Sequence, residues 1–194
     1  MQQMTERFFE AVKLATELHA NQPRKGRDVP YLSHLLRVAG MVLGYGADED
    51  TVIAALLHDA IEDQGGLKTS TLIRERFGAR VQKFVLDCSD SFESLGKPKR
   101  PWRERKESYI AHIETMDPES RLIVACDKLD NLRCTLADYR NQGENFWELF
   151  AGDRDGTLWY YREVLKAIRK AGDCPVLREI EETLEMLEKA VSST

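Results

Sequence analysis

The chain has no apolar run approaching the ~20 residues that a bilayer-spanning helix needs, so no membrane span is expected. Its first residues, MQQMTERFF, lack the basic, then apolar, then small-residue order of a signal peptide, and a cytoplasmic protein is the default reading. A basic excess is also missing. With 28 Lys and Arg against 33 Asp and Glu the net charge is -5, which disfavours general binding to DNA or RNA. A small phosphorylated ligand stays compatible, since it needs only a local positive cluster. The four cysteines, Cys88, Cys126, Cys134 and Cys174, include no C-x-x-C pair. They fall mostly in helical apolar patterns and read as small buried side chains in a reducing compartment, in preference to a zinc site or disulfides. No alternating strand pair joined by a hairpin turn occurs, and no repeat.

What remains is helical periodicity. With 194 residues, 42% hydrophobic and 31% charged, the chain is expected to fold as one all-α domain, a globular helical bundle over residues 1–194. Phe8, Val12, Ala15 and Leu18 share a face of a first helix that Thr5 can cap. The stretch NQPRKGRDVP breaks the pattern and reads as a loop. A second helix around LSHLLRVAGMVL ends at Gly44. Asp48 can cap a third, DEDTVIAALLHDAIED, which stops near Gly65 and Gly66. Further helices are predicted at STLIRERF, GARVQKFVLDCS, PWRERKESYIAHIETM, PESRLIVACDKLDNLRCTLADYR, TLWYYREVLKAIRKAG and PVLREIEETLEMLEKAV. Pro101, Pro118 and Pro175 stand near helix starts, where a missing N–H costs little. The segment SFESLGKPKRP reads as an insertion, either an active-site flap or a linker.

The third helix carries the strongest chemical signal. Its apolar start, TVIAALL, runs directly into His58, Asp59, Glu62 and Asp63, which at helical spacing form one broad stripe. Carboxylates and an imidazole on the face of a core helix desolvate and repel one another unless a cation joins them; a helix end emerging into solvent is the alternative. His34 in the apolar LSHLLRVA and Asp127 after the apolar LIVAC tip the balance. Alone, each reads as an ordinary core histidine or a capping aspartate. Together they give the order His, His-Asp, Asp, each at an inward helical position. Imidazole and carboxylate ligands suit a hydrolytic divalent metal such as manganese, iron or magnesium better than a thiolate zinc site. His19 and His112 read as structural or surface residues.

This order resembles the HD superfamily of metal-dependent phosphohydrolases, and the flanking strings resemble one branch of it. HANQPRKGRDVPYLSH is similar to the segment opening the hydrolase domain of RelA/SpoT-type alarmone enzymes. AALLHDAIED and the later RFGARV are similar to that domain's HD helix and the segment after it, and ACDKLDNLR to its "LADRLHNMR" string. The likeness runs from the first helix to Asp138, and the chain has the size of stand-alone small alarmone hydrolases. It implies an HD core at 5–139 with C-terminal helices at 145–191 packed on it. It implies that His34, His58, Asp59 and Asp127 bind a divalent metal, manganese first, and that Glu62 and Asp63 handle the attacking water. It also implies that Arg24 and Lys25 pack against the base of a nucleotide substrate and that Asn131 contacts the nucleoside.

The likeness has departures. The loop between Lys25 and Tyr31 is one residue longer than the usual "RKSGEPY", Asp130 replaces the common histidine, and Cys134 stands where threonine is frequent. All three are expected near the nucleoside pocket, away from the metal, where they bear on base identity. Lys97, Lys99, Arg100, Arg103, Arg105 and Lys106 surround Trp102; most read as a solvated face, with Arg103 the choice for a phosphate contact. The expected activity is hydrolysis of the 3′-pyrophosphate of a guanosine or adenosine alarmone. The alternatives are a phosphatase for another nucleotide, such as NADPH or a nucleoside monophosphate, and a catalytically silent nucleotide-binding module. The intact Glu62–Asp63 pair argues against the last.

Overall fold

Thr5 takes an extended backbone and its hydroxyl accepts from the Arg7 amide, which starts α1 (Glu6–Leu18) by satisfying an otherwise orphan donor. α2 (Leu32–Gly44) comes after the loop over residues 19–31. Asp48 caps α3 (Glu49–Leu57), its carboxylate 2.9 Å from the Thr51 amide. A short α4 (Ala60–Asp63) then leads to α5 (Leu67–Phe77), α6 (Ala79–Cys88) and α7 (Trp102–Ile113). Pro118 opens the longest helix, α8 (Pro118–Gln142), from its first turn. A 3₁₀ helix at Gly143–Leu149 connects to α9 (Asp153–Ala171) and α10 (Leu177–Ser192). The computed structural model describes residues 3–90 and 100–193. Among these the regular structure is helical, with one isolated antiparallel bridge, Pro23 to Pro30, so the all-α expectation holds. Most of SFESLGKPKRP, with Lys97 and Lys99, lies outside the described residues.

α3 is the axis of the fold. Every residue from Thr51 to Leu57 is buried, because α3 packs against α1, α2, α6 and α8 at once. Burying Val52, Ile53, Leu56 and Leu57 contributes on the order of 6–12 kcal/mol before chain entropy is counted, which pins the residues immediately after Leu57. α2 packs its His34, Leu35, Val38, Ala39 and Val42 face on α3 and α8, and α8 in turn contacts α10. α7 and α9 pack on each other beside this centre.

The continuous helix expected over DEDTVIAALLHDAIED is broken. α3 ends at Leu57, His58 and Asp59 form a turn, and α4 restarts at Ala60. The loop at 22–31 is more ordered than its composition suggests. The Arg24 amide donates to the Val29 carbonyl at 2.7 Å and the Tyr31 amide to the Gln22 carbonyl at 2.8 Å, closing a small hairpin. At its tip Gly26 has φ +71°, and a Cβ there would meet the Leu149 side chain at 2.6 Å. The positive φ favours glycine, and a larger residue would also have to displace the end of the Leu149 side chain.

Candidate metal centre and substrate cavity

Three helical elements deliver the charged cluster: His34 from α2, His58 and Asp59 from the turn between α3 and α4, and Asp127 from α8. His34 and His58 are 0% and 1% exposed. His34 Nε2 lies 3.2 Å from Asp127 Oδ1 and 3.7 Å from Asp59 Oδ2; His58 Nε2 lies 3.0 Å from Asp59 Oδ2 and 3.6 Å from Asp127 Oδ1. Both Nε2 atoms are buried without a hydrogen-bond partner. Their other nitrogens are committed: His58 Nδ1 to the Ala55 carbonyl at 2.8 Å, His34 Nδ1 to Asp130 Oδ2 at 2.6 Å. Each ring therefore carries a proton on Nδ1 and turns Nε2 inward.

Two orphaned Nε2 atoms facing two carboxylates fit a divalent cation. His34, His58 and Asp59 each offer a ligand atom within 4.8 Å of the others, and the Asp127 oxygen stands beside both imidazoles. Ligands sharing a small divalent metal at ~2.1 Å lie about 3 Å apart, close to these spacings.

The electrostatics agree. Burial alone would push the His58 imidazole down, but Asp59 and Asp127 reverse this and hold it well above its ordinary range. Burial raises Asp59, and the positive charge of the His58 ring beside it outweighs this, so the carboxyl is lowered. Asp127 is lowered in the same way, against burial, by Lys128, His34 and His58. The field that favours a proton at Nε2 favours a metal there equally. Around the cluster, Tyr31 donates to Asp59 Oδ2 at 2.6 Å, Asn131 Nδ2 to Asp127 Oδ1 at 2.5 Å, and Lys128 Nζ to Asp127 Oδ2 at 2.5 Å.

Glu62 and Asp63 do not continue one stripe. Asp63 accepts from Gln22 Nε2 at 2.8 Å, while Glu62 accepts from the Asp90 amide at 3.3 Å and lies 3.9 Å from Arg105. The two acids therefore face different neighbours, Gln22 for Asp63 and Asp90 with Arg105 for Glu62.

A cavity of about 650 Å³ adjoins the cluster, sharing with it Gln22, Tyr31, Lys128 and Asn131. Arg24, Lys25 and Arg27 line it from the hairpin, and Arg105 and Lys106 from α7. Arg24 donates to Asn131 Oδ1 at 2.9 Å and lies 5.4 Å from the Tyr31 ring centre; Lys25 lies 4.6 Å from that of Phe150. The hairpin is anchored through Arg27, whose Nε is 2.8 Å from both Asp138 carboxylate oxygens. Trp102, Phe150 and Tyr160 supply aromatic wall.

Two expectations need correction. Arg103 is turned away: its guanidinium lies 3.2 Å from the Trp159 ring centre and pairs with Glu107 at 2.7 Å. Arg105 and Lys106 line the cavity from the same helix. Asp130 is not among the residues lining the cavity. It touches the candidate ligand His34, whereas Cys134 does line the cavity. Lys128 was missed altogether, although its place next to Asp127 in sequence was a usable signal. His19 is buried and stacked on Tyr31, with ring centres 5.3 Å apart.

This fold and site define a class. A family model described as an HD domain matches residues 11–157, and the chain belongs to that family. The particular relatives are consistent with one another. A guanosine-3′,5′-bis(diphosphate) 3′-pyrophosphohydrolase of Aquifex aeolicus (strain VF5) is 38% identical over 142 residues, covering 72% of this chain and 19% of that protein. The enzyme of that name called MESH1 in Xenopus tropicalis is 35% identical over 145 residues, covering 70% of this chain and 75% of its own. The chain therefore spans about a fifth of the first relative's length and three quarters of the second's. A solved structure described as a metazoan orthologue of SpoT that hydrolyses ppGpp superposes with a TM-score of 0.77 at 24% identity, over 98% of this chain and 99% of that one. A Listeria monocytogenes EGD-e protein superposes at 0.67 and 28% identity, over 80% of this chain and 99% of its own.

Proposed function

We propose that this chain hydrolyses the 3′-pyrophosphate of a guanosine or adenosine bis-diphosphate alarmone in the cytoplasm, releasing pyrophosphate. His34, His58, Asp59 and Asp127 hold the divalent metal, manganese first. The observation that carries the reading is the charge distribution of the cavity. Arg24, Lys25 and Arg27 line one part, and Arg105, Lys106 and Lys128 another, with Lys128 touching Asp127 and Arg105 approaching Glu62. A nucleotide with a diphosphate at each of two ribose positions presents two polyanionic ends to two such clusters. The relatives' activity supports the same reading.

A metal held here supplies Lewis acidity, polarising a phosphoryl oxygen and acidifying water. Glu62 and Asp63 orient the water and take its proton. Water adds to the phosphorus on the ribose 3′-oxygen, the bond between them breaks, and O3′ leaves as a hydroxyl on receiving the proton that the acidic pair took from the water. Lys128 and Lys106 stabilise the negative charge of the pyrophosphoryl oxygens while the phosphorus is attacked. Arg24 and Lys25 hold the base or the other diphosphate, and Asn131, bonded to both Arg24 and Asp127, ties nucleoside position to metal position.

The test is a nucleotide panel, with guanine and adenine 3′-pyrophosphates beside NADPH and nucleoside monophosphates, incubated with manganese and with chelator. Manganese-dependent release of pyrophosphate from a 3′-pyrophosphate is expected. Release of orthophosphate from NADPH or a monophosphate, with the 3′-pyrophosphates untouched, would replace this reading with that of a general nucleotide phosphatase.

A further inference from the structure

The two inward-facing histidines are supported differently. His58 Nδ1 faces a neutral carbonyl, that of Ala55, while His34 Nδ1 faces the carboxylate of Asp130 at 2.6 Å. A carboxylate only accepts, so Nδ1 donates and Nε2 is left as a lone pair. Asp130 is itself 4% exposed and held by Arg37, whose Nε lies 2.5 Å from Oδ1 and Nη2 3.0 Å from Oδ2. The geometry is a relay of two crossed helices. α2 provides His34 and Arg37 one turn apart, and α8 provides Asp127 and Asp130 one turn apart. Where α2 crosses α8, guanidinium, carboxylate and imidazole therefore stand in line, ending at the metal centre.

We propose that Asp130 is a positioning residue for that centre: its carboxylate locks His34 in the tautomer and orientation that aim Nε2 at Asp59 and Asp127, and Arg37 clamps the carboxylate. The inference rests on the metal-centre reading above. A charged acceptor makes His34 the more electron-rich of the two imidazoles, and Asp130 adds negative charge behind the ligand set without touching substrate. Arg37 keeps the orientation fixed. It is half exposed, with 44% of its side chain accessible, so it can hydrate if Asp130 is removed and the fold need not suffer.

The test reads metal and ring, not turnover. Mn²⁺ affinity is measured by competition with a chelating dye for the wild type and for Asp130→Leu, Asp130→Asn and Arg37→Met, with His58→Ala as control. Loss of an outer partner of this kind costs roughly 10- to 100-fold in metal affinity, which is expected for Asp130→Leu. Asp130→Asn, which keeps an acceptor oxygen, should lose less, and Arg37→Met less again. Nitrogen-15 spectra of labelled histidine should show His34 protonated on Nδ1 in the wild type and in Asp130→Asn, and a mixture of tautomers in Asp130→Leu. Wild-type Mn²⁺ affinity in a folded Asp130→Leu overturns the proposal. Should that variant not fold, unchanged affinity in Asp130→Asn overturns it, as does an Nε2-protonated His34 in the wild type. If the wild type itself takes up no Mn²⁺, as His58→Ala should not, the metal centre falls and this inference with it. A wrong substrate assignment leaves the assay unaffected.

Discussion

Arg27 gives the most quantitative test of how the cavity is built. Its Nε and Nη2 approach the Asp138 carboxylate at 2.7–2.8 Å, and Nη2 also reaches the Cys134 carbonyl at 3.3 Å. The Asp138 side chain is 12% exposed and the Arg27 side chain 34%, so Arg27→Ala strands a largely buried carboxylate. Hydrogen bonds to charged groups contribute ~1.5–3 kcal/mol, and the partial exposure of Arg27 screens some of this, so a loss of about 2 kcal/mol is expected. For a domain of this size that is about 4–8 °C in Tm. The assay is a double-mutant cycle by urea and thermal denaturation, with Arg27→Ala, Asp138→Asn and the pair. A coupling of about 1–2 kcal/mol is expected. Because Arg27 ties the hairpin to α8, Arg27→Ala should also raise KM for the nucleotide several-fold while kcat holds. Additivity within ~0.3 kcal/mol, with KM unchanged, would refute the idea that this pair anchors the recognition loop.

Glu62→Gln and Asp63→Asn should each keep Mn²⁺ and substrate binding while slowing turnover by roughly 10²-fold or more, measured as single-turnover rates; full activity in both removes them from the mechanism. The double change Arg24→Ala, Lys25→Ala should raise KM for 3′-pyrophosphorylated nucleotides by roughly 10- to 100-fold, with Mn²⁺ affinity and hydrolysis of a generic phosphodiester preserved. Equal loss on the generic ester would reassign the hairpin to supporting the metal. Asp59 and Asp127 hold His58 above its ordinary value, so the stabilisation from its protonated form is fully present below the unfolded value of 6.5 and is lost as pH rises through the folded one. Mn²⁺ must displace that proton, so its apparent affinity should weaken as pH falls, and calorimetric titrations in buffers of different ionisation heat should differ. Identical heats would show that no proton is released.

Much of this was readable from residue types at fixed offsets. Thr5 and Asp48 announce helix starts because a short side-chain oxygen before an apolar run has one good use, and both cap as expected. The order His34, His58–Asp59, Asp127 was legible because each stands in or after an apolar run, where an unpaired polar group is costly. The break after Leu57 was not. His58 and Asp59 keep nearly helical dihedrals, at φ -59° and -95°, and no glycine or proline marks the site. Arg103 against Arg105 and Lys106 is a question of the phase of α7 beside α9, which neighbouring helices decide. Asp130, expected away from the metal, stands instead on His34; its place one turn from Asp127 on the same helix face is the signal that could have shown this. The loop at 22–31 read as irregular because prolines and charges hide a hairpin whose closure depends on backbone amides.

The unbroken burial of α3 has an evolutionary consequence. One residue inserted or deleted between Thr51 and Leu57 would rotate His58 and Asp59 by about 100° around the helix axis and drive apolar side chains toward water. α3 thus acts as a ruler of fixed length. The hairpin hangs outside that ruler, and the backbone bonds at its base deliver Tyr31 to Asp59. A change in that loop would alter the proposed nucleotide grip while leaving the candidate ligands in register. The stretch between Lys25 and Tyr31 is therefore the segment where a change costs the candidate metal centre least.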